Sequence, residues 1–233
     1  MQRKIKLMIG ILIMTGLIAG CWKVSKNLQK ELKEEMETIG EAEKSDRIVV
    51  LDAGHGGTDS GKVGINGVKE KDINLTITNS VKKILEKENI QVIMTRETDE
   101  QLAQSKVEDL KYRVKIMNEV SPILAVSIHQ NSYHEESVSG GQVFYYRDSA
   151  KGKALAEILQ KRFSYVLGEQ NRRLPKANGN YYLLLHVKCP IVIVECGFLS
   201  NRKEAGLLNS GEYQDKLAYT IHMGIMEYLN KKQ

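Results

Sequence analysis

Aromatic residues are scarce in this chain: Trp22, three phenylalanines and scattered tyrosines are all that 233 residues hold. No cluster of lysine and arginine interleaves with them, so the pattern of base stacking beside phosphate contacts that marks a nucleic-acid binder is missing. Of the three cysteines, Cys189 and Cys196 flank one apolar run. Extended at ~3.3 Å per residue they would stand ~23 Å apart, which forbids a bridge between them in that strand. A repeat architecture is also excluded, because no internal repeat or low-complexity tract is present.

What the chain does hold is enough for one globular domain with a substantial core, plus extras. The net charge of +5 and pI near 8.9 are mildly basic, which suits an anionic surface such as a wall polymer or lipid headgroups. At the N-terminus, Arg3, Lys4 and Lys6 precede an apolar run from Leu7 to Trp22. Charged and apolar regions in that order are an export signal. The run is shorter than the ~20 residues of a comfortable membrane span, so a cleaved signal and a retained anchor both remain open. Ile18-Ala19-Gly20-Cys21 resembles a bacterial lipoprotein processing site, in which Cys21 would carry lipid; a cysteine placed there by chance is the competing reading. Residues 23–46 are polar and highly charged, with weak helical periodicity in Leu28, Leu32 and Met36, and read as a stalk. The domain proper is then 47–233, working outside the cytoplasm with the membrane segment as its tether.

Within 47–233 strand and helix patterns alternate. Apolar β-branched runs at Ile48–Asp52, Gln91–Thr95, Ile123–Ile128, Gln142–Tyr146 and Ile191–Glu195 predict buried strands. Amphipathic spacing predicts helices near Asp72–Glu88, Val107–Glu119, Ala150–Leu167 and Gly211–Leu229, with a short apolar run at Tyr181–Leu185. This order predicts an α/β fold, a single domain with a mostly parallel twisted sheet covered by helices on both faces.

Three of the strands end in chemistry. IVVLDAGH finishes on His55, ILAVSIH on His129 and PIVIVE on Glu195. Ligands in open α/β sheets bind outside the carboxyl ends of parallel strands. Parallel pairing would therefore bring two imidazoles and a carboxylate to one edge. The loop after the first strand, DAGHGGTDSGKVGINGVKEKD, is rich in glycine and can bring Glu70 back to that edge. His55, Glu70 and His129 then make a three-ligand set with an open position for water, the pattern of a catalytic zinc site. Glu195 is the candidate general base. Each residue has a plainer reading: a lone histidine is more often a packed structural residue, and a lone glutamate after a strand a surface one. The same loop also carries G-x-x-x-x-G-K from Gly56 to Lys62, close to a phosphate-binding pattern. Val63 replaces the hydroxyl residue that pattern needs, and Gly64, Asn66 and Gly67 stand where its helix should begin.

In order, DAGHGG, GVKEKDINL, VIMTRETD, VSIHQNS and VECGFLSN resemble the signature segments of the zinc-dependent N-acetylmuramoyl-L-alanine amidases, over essentially all of 47–233. The resemblance implies zinc at the positions of His55, Glu70 and His129, and a catalytic glutamate at Glu195. It implies peptidoglycan as substrate. The EDLKYRV segment, the compact length and the N-terminal segment look most like the germination-specific subgroup of endospore formers, which acts on spore cortex on the way to muramic-δ-lactam. Two positions depart from the family: Ala53, where proline is common, and Gln130, where a small or apolar residue is usual. No separate wall-binding repeat is visible, so targeting falls to the membrane segment, the domain itself or a protein activator. A zinc peptidase cutting within the stem peptide and a non-catalytic wall-binding scaffold are the alternatives.

Among the remaining residues, Asn131 suits either the metal surroundings or a turn, and Arg96 a substrate carboxylate or, as the plainer reading, a local ion pair with Glu97 or Asp99. His134, His186 and His222 read as surface or packing residues, and Cys196 as a buried thiol behind Glu195.

Overall fold

Alternating apolar residues decide where each strand of the sheet faces. A computed structural model describes residues 16, 20, 22–31, 47–168 and 171–231. The chain divides into two units, Met1–Asp46 and Arg47–Gln233. In the first, residues 22–31 are helical, with the Lys26 ammonium 4.1 Å from the Trp22 ring. Cys21, most of the expected export segment and residues 32–46 lie outside the described residues. No helix among the described residues is long and apolar enough to cross a membrane.

The second unit is an α/β domain. Its strands are β1 (Ile48–Ala53), β2 (Gln91–Met94), β3 (Leu124–Asn131), β4 (Gln142–Tyr146), β5 (Lys176–Asn178) and β6 (Ile191–Phe198), in sheet order β2-β1-β3-β6-β4-β5. The four strands from β2 to β6 are parallel, and β4 turns antiparallel against β6. Helices α1 (Glu70–Lys87), α3 (Ala150–Leu167) and α6 (Gly211–Lys231) cover one face; α2 (Lys106–Val120) and the short α4 (Tyr182–His186) cover the other. A seven-residue helix, α5 (Arg202–Leu208), follows β6.

The first face is packed by i, i+4 ladders: Ile73, Ile77, Val81 and Leu85 on α1, and Leu217, Ile221, Ile225 and Leu229 on α6, against Val49, Leu51, Val126 and Val192. Burying each such side chain contributes roughly 1.5–3 kcal/mol. The second face, with Val50, Ala125, Ile191 and Ile193 against Met117, Leu183 and Leu184, is smaller. Side chains capture the helix starts: Ser105 Oγ accepts from the Glu108 amide, and Ser149 Oγ from Gly152. α2 stops at Ser121, which takes a left-handed conformation just before Pro122.

Two local differences from the sequence expectation matter for the site. The helix expected from Asp72 begins at Glu70, whose backbone N–H donates to the Lys62 carbonyl at 2.9 Å and so closes the glycine loop. The run at Tyr181–Leu185 coils into α4, because it must turn the chain back beneath β6 and not extend the sheet.

Candidate metal centre

β3 and β6 lie side by side with His129 opposite Glu195, and the register slips between His129 and Asn131. That irregularity sits next to the site, where such irregularities re-aim side chains. His55 stands beyond the end of β1 with a left-handed backbone (φ 63°), a strained state for a non-glycine residue. Glu70 enters from the first turn of α1. Chain segments distant in sequence thus deliver four polar side chains to one edge.

Their donor atoms converge. His129 Nδ1 is 2.9 Å from Glu70 Oε1, and His55 Nε2 is 3.2 Å from the same oxygen. One ligand atom from each of His55, Glu70 and His129 lies within 4.8 Å of the others. The two imidazoles meet edge to face with centroids 5.0 Å apart. Two glycines make this crowding possible. A Cβ at Gly54 would run into the His129 ring, and one at Gly61 would stand 2.6 Å from both Glu70 Oε2 and His55 Cδ2.

Electrostatics separate the roles. Burial raises the Glu70 carboxyl, but hydrogen bonds and charge from His129 and His55 outweigh it and hold the group well below the usual carboxylate range. Its Oε2 also accepts the Lys62 amide at 2.8 Å, and Oε1 the Gln130 amide at 3.1 Å. Burial disfavours a charged His129, yet the hydrogen bond and charge of Glu70 push it up to about 9. Glu195 differs: burial dominates and pushes it up to about 7, and its Oε2 is buried without a hydrogen-bond partner.

These observations test the fit of a metal. Two nitrogens and a carboxylate around one point are a catalytic-type donor set, the glycines let the three side chains crowd together, and the orphaned Glu195 oxygen belongs to the same cleft. The residues fit a divalent ion, and no geometry beyond theirs is needed to say so. Lys62, Lys106, Ser132 and Tyr181 line the same cleft.

Behind the cleft lies a polar cluster that sequence reading passed over. Asp52, the residue before Ala53 in DAGH, is fully buried, and its carboxylate accepts from Arg113 Nη1 (2.6 Å), Thr95 Oγ1 (2.6 Å) and Ser127 Oγ (2.5 Å). Burial alone would raise it, but Arg113 and the two hydroxyls hold it down at about 2. Arg113 also donates to the carbonyls of Ala53 and His55, each at 2.8 Å. Arg96 does not form the ion pair expected of it. It is buried, and its guanidinium donates to the carbonyls of Ala53, Gly54, Lys71 and Thr98, while Glu97 pairs with Lys82 and Asp99 with Lys71. The loop needs donors for its turned-in carbonyls, and the planar guanidinium supplies several at once. For Asp52 the signal was present, because a charged residue inside an apolar strand requires a buried partner.

Asn131 Oδ1 accepts from the Ser132 amide at 2.8 Å, and the residue also lines the cleft with His55, Glu70 and His129. Cys196 is buried and its thiol is pushed up by burial, so it has no nucleophile's ionisation. His134 is exposed and His222 is buried away from the cleft. The phosphate-loop pattern leads into two bridges, Gly56 with Asp59 and Val63 with Lys69, and not into a helix.

Known proteins share this arrangement of segments. The chain is similar to the germination-specific N-acetylmuramoyl-L-alanine amidase of Bacillus subtilis, 39% identical over 196 residues that cover 81% of this chain and 82% of that protein. It is 31% identical to the amidase LytC of the same organism over 88% of this chain and 38% of that protein. Among solved structures it resembles the CwlD amidase from Clostridioides difficile, determined in complex with the GerS lipoprotein, at 37% identity and a TM-score of 0.76, over 79% of this chain and 98% of that one. Residues 49–227 match the family model described as N-acetylmuramoyl-L-alanine amidase, and the chain therefore belongs to the N-acetylmuramoyl-L-alanine amidase family.

Proposed function

We propose that this chain is a zinc hydrolase that cleaves the amide bond between N-acetylmuramic acid and L-alanine in peptidoglycan. The observation that carries the reading is the buried Glu195 carboxylate, unpartnered at Oε2, beside three donor atoms within 4.8 Å of one another. His55, Glu70 and His129 would hold the ion, which supplies Lewis acidity toward the scissile carbonyl and toward water.

The chain's own residues do the rest. Glu195 takes a proton from the attacking water as its oxygen bonds to the lactyl carbonyl carbon. As the C–N bond breaks, the same carboxyl returns that proton to the alanine nitrogen, which leaves as an amine. A carboxyl near neutrality suits both halves, because it can accept and then give the proton at the working pH. Its burial keeps it from being levelled by bulk water. Tyr181 stands on the cleft wall, its hydroxyl kept protonated by burial and by the charge of Glu195, and so is available as a donor to substrate.

The substrate we favour is spore-cortex peptidoglycan, where cleavage precedes muramic-δ-lactam formation; support comes from the germination-specific relative, which the chain spans for 82% of its length. The N-terminal segment 1–22 would direct the chain out of the cytoplasm and tether it, residues 23–46 would act as the stalk, and 47–233 as the catalytic domain. A protein partner is consistent with the complex that the CwlD amidase forms with the GerS lipoprotein.

Mass spectrometry of peptidoglycan digested with the purified chain and zinc tests the reading. Intact stem peptides released from glycan are the expected product. Stems cut internally would favour the peptidase, and an undigested sacculus the scaffold.

A further inference from the structure

The two histidines of the centre are placed by different means. His129 lies on β3 and its ring packs closely against Gly54, so packing fixes it. His55 follows β1 in a strained left-handed conformation with its side chain partly exposed, and its ring meets His129 edge to face and approaches Gly61. Arg113 fixes its carbonyl, which holds the backbone and not the rotation of the ring.

A carboxylate holds the ring. Asp59 Oδ2 lies 2.8 Å from His55 Nδ1. A carboxylate oxygen accepts, so with an ion at the centre Nδ1 would carry the hydrogen toward Asp59, and Nε2, which here lies 3.2 Å from Glu70 Oε1, would be free to turn its lone pair to that ion. Asp59 is itself locked. Its N–H donates to the Gly56 carbonyl, and its carbonyl accepts from the Gly56 N–H, both at 3.0 Å. Its other oxygen, Oδ1, accepts from the Gly61 amide at 3.3 Å and from Lys106 Nζ at 2.7 Å. The Gly56–Asp59 bridge therefore places a carboxylate behind the ring, with Lys106 holding that carboxylate from the rim of the cleft.

We infer that Asp59 is the positioning residue for His55, setting the Nδ1–H tautomer and the aim of Nε2 toward the metal. This rests on the metal reading above. Carboxylates behind metal-bound imidazoles fix ring orientation and raise ligand basicity, and their loss typically weakens metal affinity ~10–100-fold.

The experiment is a zinc titration of the full chain against a competing chelator, for the unmodified protein, Asp59→Asn and Asp59→Ala, with thermal melts of each metal-free form. Asp59→Ala should bind zinc ~10–100-fold more weakly while its metal-free melt stays in place. Asp59→Asn keeps an oxygen that can accept from Nδ1 but loses the charge, so it should fall between the two and carries the test if the alanine variant does not fold. Cobalt(II) in place of zinc gives a second readout, since its visible spectrum shifts when one ligand's geometry changes. A lowered metal-free melt with unchanged zinc affinity and cobalt spectrum would reduce Asp59 to a structural brace and overturn the inference. If the unmodified chain takes up no zinc, it is the metal reading itself that fails.

Discussion

Asp52 and Glu195 are both carboxylates buried on strands of one sheet, two residues beyond Val50 and Ile193 and so on the same face as the second apolar cluster. Asp52 is surrounded by donors from Arg113, Thr95 and Ser127 and is held down at about 2. Glu195 has an oxygen with no donor and is pushed up to about 7. Burial pushes both in the same direction, so the difference lies wholly in the partners. A saturated buried carboxylate is a fixed charge that organises its surroundings. An undersupplied one retains the ability to exchange a proton, and such exceptions to full hydrogen bonding mark working sites.

Three measurements can break or sharpen this contrast. Replacing Glu195 by Gln keeps the shape and removes the exchangeable proton. Turnover should fall ~10²–10⁴-fold while bound zinc and the unfolding midpoint hold; a variant that retains near-normal hydrolysis would take Glu195 out of proton transfer. Arg113→Met should act the other way, on stability before chemistry. Stripping a buried charge of its partner costs about 3–5 kcal/mol, read as a shift of the urea midpoint, and a loss below about 1 kcal/mol would mean that Asp52 finds other support.

The smallest effect is on pH dependence. The Asp52 pKa lies below its unfolded value, so its contribution is fully present above the unfolded pKa of about 3.9 and disappears as the pH falls toward the folded value of about 2. That contribution is of order 2 kcal/mol. Urea unfolding of the unmodified chain and Asp52→Asn, compared near pH 5 and near pH 2, should show a shallower acid dependence in the variant by that amount. Equal slopes would place the acid sensitivity elsewhere.

Much of this arrangement was legible before the structure. The three apolar runs ending in His55, His129 and Glu195 carried both the parallel sheet and the convergence, because burial on two faces writes a continuous β-branched signal. Glu70 was readable only through the glycine loop and the family motifs. What escaped was the supporting layer. Asp52, Arg113, Arg96 and Asp59 are ordinary charged residues in a sequence, and their roles depend on distant pairings, 42 positions apart for Arg96 with Gly54 and 61 for Arg113 with Asp52, or on a local bridge of the kind that holds Asp59. Arg96 was misread for that reason: its neighbours in sequence are acidic, but its neighbours in space are carbonyl oxygens. The one-turn helix at Tyr182–His186 was ambiguous because short apolar runs do not reveal their period.

The position of β6 has one more consequence. It is the last strand in sequence, yet it lies inside the sheet between β3 and β4 and brings Glu195 next to His129. His55, Glu70 and His129 all precede it in the chain, while Glu195 comes on this final strand, inserted into the middle of the sheet. On the metal reading proposed above, the three ligands would therefore precede the proton acceptor in chain order, and only a chain complete through β6 would carry both.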